Sequence, residues 1–269
     1  MKKTILVALS LFAFAACGQN SLNQPVHVQV DNPKESPQPP AGEEPENKAF
    51  EQLANDVAFY KGRYNMPDVY KKITDNRGNF FEDLYGTRNM REVLAGVYYR
   101  GGANNKYHKT HPRSNTNPLP ADGLDNLCKD GFSTAIYYYS ENYESAKKVN
   151  PCLLRTTASA NTLNYKQISG LGLKDFKPFL QLIHDRIKGK LTGPIYGHCW
   201  NGWHASGFMA SVVLKQFCGF TDTQADAYWA KNTDGNTSGY EAVRKKVKAY
   251  QPLAGFEITA EEKALICPK

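Results

Sequence analysis

The feature that most constrains the fold of this chain is a short strand pattern that leads into a cysteine, a loop and a helix. Residues 194–198 read PIYGH and are followed by Cys199, and residues 206–217 have the apolar content of a packed helix, which Gly219 closes. A thiol in this position faces the free backbone amides and the positive dipole end of the helix. The pattern therefore predicts a reactive cysteine beside a cradle for an anion such as phosphate or sulfate.

Strand and helix patterns alternate over residues 48–269. Strand patterns occupy residues 97–100, 132–139, 152–157 and 194–198. Helix patterns occupy residues 48–73, 119–129, 141–149, 175–188, 206–217 and 240–250, and Thr221 or Asp222 caps one more. This alternation predicts one α/β domain, in which helices flank a central, mostly parallel sheet.

The N-terminal residues 1–17 have the pattern of a bacterial export signal. Two lysines precede an apolar run that is too short for a usual membrane-spanning helix, and the run ends in small residues before Cys17. This ending resembles a lipobox, which implies that Cys17 is lipidated and becomes the mature N-terminus. The alternative is ordinary signal cleavage, with Cys17 incidental. We expect a lipid-anchored protein of the bacterial envelope that faces the periplasm, with the outer membrane favoured by Gly18.

Residues 18–47 are predicted to be a disordered linker. They contain six prolines and an acidic excess, so they cannot bury a core and would tether the domain away from a membrane. The formal net charge of +7 is spread along the chain and suits an anionic ligand. No nucleic-acid signature is present, so we expect no nucleic-acid partner, and contact with the membrane only through the lipid anchor. We also expect no cofactor and no metal site, and the sequence sets no oligomeric state.

The cysteine segment resembles the signature loop of the cysteine-dependent protein tyrosine and dual-specificity phosphatases. That signature reads His-Cys, five residues, Arg, Ser or Thr, Gly. The matching residues are His198, Cys199, Gly202, Ser206 and Gly207. The resemblance extends upstream to residues 99–102 (YRGG) and covers roughly residues 95–250, which implies a dual-specificity-phosphatase-like fold.

The resemblance implies roles for the residues of this loop. Cys199 would be the nucleophile of a cysteinyl-phosphate intermediate, Ser206 would assist the thiolate as leaving group, and His198 would orient the loop. The ligand would be held by Trp200, Asn201, Gly202, Trp203, His204, Ala205 and Gly207. The two tryptophans could stack on a ring or belong to the core, and the run 137–139 (YYY) favours strand packing over a binding platform.

Two departures from the family pattern weaken the expectation of catalysis. Ala205 stands where the phosphate-binding arginine is expected, a loss of about 10²–10³ in rate for such a stabiliser. His204 or Arg155 could supply the missing donor. Residues 160–174 contain no carboxylate for a general acid, so Asp175 is the nearest candidate, although a helix N-cap suits it better.

Three functions stay open. The first is a pseudophosphatase that binds a phosphorylated or other anionic ligand in the Cys199 loop. The second is an active phosphomonoester hydrolase that uses a substitute cation. The third is an envelope scaffold that has no small ligand. A rhodanese-like sulfur carrier also uses a cysteine loop but fits the motif less well.

Four further cysteines are available for disulfides in an oxidising compartment, and four cysteines allow three connectivities. We expect Cys128–Cys152, because the end of a helix and the start of the next strand lie on one side of the sheet. Cys218–Cys267 would then attach the C-terminal tail to the helix that follows the loop.

Overall fold

The computed structural model describes residues 43–269, with side chains from residue 47 onward. The expected signal segment, Cys17 and residues 18–42 of the expected linker lie outside the described residues. Helix α1 begins at Glu43, within the range expected to be linker. None of the helices in the described range is long and apolar enough to cross a membrane.

A six-stranded mixed sheet forms the centre of the domain, in the order β1-β2-β6-β3-β5-β4. The pairs β2–β6, β6–β3 and β3–β5 are parallel, and both edge pairs are antiparallel. The strands are β1 (Thr87–Leu94), β2 (Tyr98–Ala103), β3 (Thr134–Tyr137), β4 (Val149–Leu153), β5 (Ala160–Gln167) and β6 (Ile195–Cys199). The expected α/β class is confirmed, with parallel pairing confined to the middle of the sheet.

Seven α-helices surround the sheet within residues 43–269. They are α1 (Glu43–Tyr64), α2 (Ala121–Lys129), α3 (Lys177–Ile187), α4 (His204–Cys218), α5 (Asp222–Lys231), α6 (Glu241–Ala249) and α7 (Ala260–Ile266). The expected cap of α5 is Thr221, whose side chain accepts from the amide of Gln224 in a capping box. Short 3₁₀ turns occur at Glu82–Leu84 and Tyr143–Ser145.

Four expectations about secondary structure were wrong. Helix α1 ends at Tyr64, not residue 73, because Asn65 is left-handed (φ 48°) and Pro67 follows. The helix expected over 141–149 is only a 3₁₀ turn. The strand expected over 152–157 is β4, which ends at Leu153. Strands β1 and β5 were not predicted, because their polar sequences lack the apolar alternation that marks a strand.

Two apolar clusters pack on opposite faces of the sheet. Successive strand residues alternate between them: Tyr98 and Ile195 lie in one cluster, and Tyr99 and Tyr196 in the other. Burial on both faces is what parallel central strands require.

Both expected disulfides form. Cys128 at the end of α2 is bonded to Cys152 in β4, and Cys218 at the end of α4 is bonded to Cys267 after α7. Cys199 is the free cysteine of the described residues.

Candidate functional site

The cysteine loop joins the central strand β6 to helix α4. Cys199 ends the strand, and the helix begins at His204, two residues earlier than expected. The sulfur of Cys199 lies 3.4 Å from Oγ of Ser206 in the first turn of α4, and both side chains are buried. The amides that precede Gly207 in this turn have no partner within the helix, so the thiol lies beside backbone donors.

The loop rests directly on the end of β2. The amide of Ala103 donates to the carbonyl of Trp200 at 3.1 Å, and Gly202 adopts a left-handed conformation with φ 76°. A Cβ on Gly102 would lie 2.6 Å from the Trp200 oxygen, closer than atoms can pack. Gly102 of the YRGG segment is therefore needed to let the loop approach the sheet.

Arg100 lies beneath the loop and is fully buried. Its guanidinium donates to the carbonyl of Gly202, to the carbonyl of Asn232 at 3.3 Å and, from Nε, to the hydroxyl of Tyr228 at 3.4 Å. All three acceptors are neutral, and within residues 43–269 no carboxylate forms an ion pair with this arginine. A buried cation without a counter-charge is costly, so the base of the loop favours an anion.

Asp234, in the connection between α5 and α6, is the carboxylate that contacts the loop. It accepts a hydrogen bond from Nε1 of Trp203 at 3.1 Å and forms ion pairs with Lys72 (2.6 Å) and Arg91 (3.1 Å). Burial would raise the pKa of Asp234, but the hydrogen bond and charge of Lys72 and the charge of Arg91 together lower it. This carboxylate stays ionised and suits an acceptor better than a proton donor.

His198 is held as a neutral ring under the cysteine. Its Nε2 accepts from the Tyr165 hydroxyl at 2.8 Å, its Nδ1 lies 3.2 Å from the Cys199 carbonyl, and its ring stacks with Tyr137 and Tyr196. The tautomer follows from this network, since the Tyr165 oxygen already accepts the amide of Leu119. Burial lowers the pKa of His198 to about 3. The ring thus orients the end of β6 without adding charge.

The remaining loop side chains are anchored by neighbouring segments. Trp200 stacks on Tyr139 with ring centroids 4.3 Å apart and donates to the Tyr137 hydroxyl. Asn201 accepts at its side chain from Asn115 and at its carbonyl from Asn89, both at 2.7 Å. These contacts fix the loop between β3 on one side and β1 with the 104–118 segment on the other.

The two residues expected to replace the missing arginine do not do so. Nε2 of His204 donates to the carbonyl of Asn236 at 2.7 Å, and the ring stacks on Tyr240. Burial lowers its pKa, so its ring is neutral and engaged away from the loop. Arg155 follows the edge strand β4, which is separated from β6 by β5 and β3, and it donates to the carbonyl of Asp83.

Three other expected site residues have limited access to a ligand. Asp175 is exposed, and its Oδ1 accepts the amide of Lys177 at 3.0 Å, so it is not an acid aimed at Cys199. The N-cap of α3 is Phe176, one residue later than the helix-capping interpretation placed it. Ala205 is fully buried, so only its backbone amide can serve a ligand. Gly207 packs against the ring of Trp229, which lies 3.2 Å from where its Cβ would be.

Several residues of the site were not expected from the sequence. Arg100 was noticed only as part of a turn motif, and Asn89, Asn115 and Asp234 were not noticed at all. They reach the loop from segments that lie 31 to 112 positions away along the chain. Asn89 and Asp234 have left-handed backbone conformations, with φ 49° and 53°, but these conformations are visible only in the structure.

No protein-family model matches the chain, and no curated protein matches it.

Proposed function

We propose that this domain binds phosphomonoesters or related anions in the Cys199 loop and that it is a cysteine-phosphatase-like domain with weakened catalysis. The strand–loop–helix order of β6 and α4 supports the dual-specificity-phosphatase-like fold, as does parallel pairing on both sides of β6. The contact between Cys199 and Ser206 is the one that the phosphatase resemblance requires.

The observation that carries the proposal is the buried charge of Arg100. Its position against the Gly202 carbonyl puts a guanidinium directly under the loop, with neutral partners only. An anion in the loop would supply the counter-charge and also meet the free amides at the start of α4. Arg100 thus replaces part of the electrostatic role that Ala205 cannot fill, although it lacks the bidentate reach of an arginine in the loop.

Weak hydrolysis is the second candidate function, because a buried thiol with a hydroxyl partner at 3.4 Å is present. A proton donor for the leaving group is the missing component: Asp234 is ionised, and Asp175 is exposed and accepts the amide of Lys177. A missing general acid costs about 10²–10⁴ in rate. Aryl phosphates with good leaving groups need this proton least, so they are the substrates to test first.

The envelope location also belongs to the proposal. Two disulfides support it, because such bonds persist in oxidising compartments. The lipid anchor at Cys17 and the linker remain predictions, which mass spectrometry of the mature N-terminus would test.

The binding test is titration of the purified domain with inorganic phosphate and with phenyl phosphate by calorimetry. We expect saturable binding, and a loss of about tenfold or more in affinity for Arg100→Met, because a charge-assisted contact is removed. Arg244→Met is the control, since Arg244 on helix α6 is already paired with Asp226 on helix α5. Absence of binding, or equal affinities in all three proteins, would overturn the proposal and favour a scaffold without a small ligand.

The activity test is hydrolysis of p-nitrophenyl phosphate by the wild-type domain and by Cys199→Ser. A slow rate that Cys199→Ser abolishes would establish hydrolysis through the cysteine. Equal rates would show that the activity belongs to a contaminant, and the binding role would stand alone.

A further inference from the structure

Arg88, at the start of β1, is a second buried arginine beside the cysteine loop. It is 2% exposed and lies opposite Gly102, on which the loop rests. Its guanidinium donates to the side-chain oxygens of Asn115 and Asn76, whereas its buried Nε has no hydrogen-bond partner. No carboxylate of residues 43–269 forms an ion pair with it. Burial lowers the pKa of Arg88, which indicates how poorly its charge is compensated.

Both hydrogen-bond partners of Arg88 connect it to Asn201 of the loop. Asn115 donates to the Asn201 side chain at 2.7 Å. The Asn76 oxygen also accepts from Asn89 at 2.8 Å, and the same Asn89 amide donates to the Asn201 carbonyl at 2.7 Å. Two chains of hydrogen bonds therefore link Arg88 to Asn201, one through Asn115 and the other through Asn76 and Asn89. The surroundings of Arg88 are thus continuous with the anion cradle.

Three cationic side chains lie close to the ring of Tyr107, beside the cysteine loop. The guanidinium carbons of Arg88 and Arg77 lie 5.0 and 5.6 Å from the ring centroid, and Nζ of Lys106 lies 5.5 Å from it. Arg77 and Lys106 are exposed, and neither forms an ion pair within the described part of the chain. Three like charges around one ring repel one another, and the ring offsets only part of this cost. An anion between them would relieve the repulsion.

We propose that Arg77, Arg88, Lys106 and Tyr107 form a second anion subsite next to the Cys199 loop, so that the preferred ligand is a small molecule with two phosphate-like groups. The first group would occupy the cysteine loop, so this inference rests on the proposed function. The second would contact the exposed Arg77 and Lys106, which share the ring of Tyr107 with Arg88. The arrangement favours a compact ligand with two phosphate-like groups over a single phosphomonoester.

The test compares methylphosphonate with alkane bisphosphonates of one to four methylene groups, by calorimetry at constant ionic strength. We expect at least one bisphosphonate to bind about tenfold more tightly than methylphosphonate to the wild-type domain. The double variant Arg77→Met/Lys106→Met should reduce this ratio to about twofold or less, and it should fold because both side chains are exposed. Arg88→Met should lower the ratio as well.

Lys109→Met is the matched control. Lys109 lies in the same 104–118 segment and is exposed, but it pairs with Glu82 and contacts Tyr85 instead of Tyr107. For Lys109→Met, the ratio of bisphosphonate affinity to methylphosphonate affinity should equal that of the wild type. If methylphosphonate binds and no bisphosphonate binds more tightly, the second subsite is refuted while the proposed function stands. If methylphosphonate does not bind, the Cys199 cradle is refuted, and with it a ligand that occupies both the cradle and the second subsite.

Discussion

The two ends of the parallel strands differ in how completely their arginines are paired with carboxylates. At the amino end, half-buried Arg63 binds the buried carboxylate of Asp130, and fully buried Arg186 binds Asp56 at 2.6 Å. At the carboxyl end, buried Arg91 is paired with Asp234, but Arg88 and Arg100, which are also buried, have only carbonyl, amide and hydroxyl oxygens as hydrogen-bond partners.

This difference concerns whether a charge already has its counter-charge in the folded domain. A buried ion pair is complete in the folded domain and holds helices to the sheet. A guanidinium without a carboxylate partner has no counter-charge there, so an anion would compensate it. The cleft of about 710 Å³ at the amino end is lined by Arg186 and Asp130, whose charges are already paired. This cleft therefore offers an anionic ligand fewer uncompensated positive charges than the cysteine loop does.

The largest expected effect is at the amino end. Asp130→Ala removes the main partner of half-buried Arg63, which keeps its ion pair with Asp83, and the acceptor of the Tyr64 hydroxyl, so it should lower the free energy of unfolding by about 3 kcal/mol, as measured by chemical denaturation. Asp125→Ala is the control, because it breaks only an exposed i,i+4 pair with Lys129 and should cost less than about 0.5 kcal/mol. A cost below 1 kcal/mol for Asp130→Ala would remove the distinction between the two ends.

The carboxyl end should instead respond to an anion. Phosphate at a concentration one hundred times its Kd should stabilise the wild-type domain by about 2.7 kcal/mol, and it should stabilise Arg100→Met far less. Thermal unfolding with and without phosphate at fixed ionic strength measures this. Equal stabilisation of both proteins would show that the charge of Arg100 is not available to a ligand.

The seating of the loop on β2 can be tested with one methyl group. Gly102→Ala places a Cβ against Trp200 and Asn201, so it should cost about 1–3 kcal/mol and also weaken phosphate binding. The same substitution at Gly62 meets no atom within 4 Å and should stabilise helix α1 by about 0.5–1 kcal/mol. If Gly102→Ala behaves like Gly62→Ala, the loop does not depend on this approach.

The last effect is gradual, a slope of stability with pH that comes from His198. Its folded-state pKa of about 3 lies below the unfolded value near 6.5, so between these values the unfolded chain binds a proton that the folded domain does not. Stability should therefore rise with pH through this window, by at most about 1.4 kcal/mol per pH unit from this residue, and level off above it. His198→Gln should reduce the slope relative to wild type, whereas exposed His111→Gln should not. An unchanged slope in His198→Gln would contradict the assignment.

Much of the fold and part of the site follow from local sequence. The alternation of patterns predicted the α/β class, and the order of strand, cysteine and helix predicted where the loop lies. The two disulfides were predicted from the positions of their cysteines along this order. These features are predictable because they depend on residues that are near in sequence or on periodicities that each element carries by itself. Strands β1 and β5 were not, because neighbouring strands and not their own composition stabilise them.

Which arginine serves the loop was decided only by the tertiary structure. The sequence offered Arg155 on the strand before the loop, but the strand order places β4 at an edge and β2, with Arg100, next to β6. Hydrogen bonding between strands far apart in the chain sets that order, and no local pattern encodes it. The sequence by itself determined that a cysteine would face an anion cradle without its usual arginine. Packing β2 against β6 determined which buried charge lies beneath it.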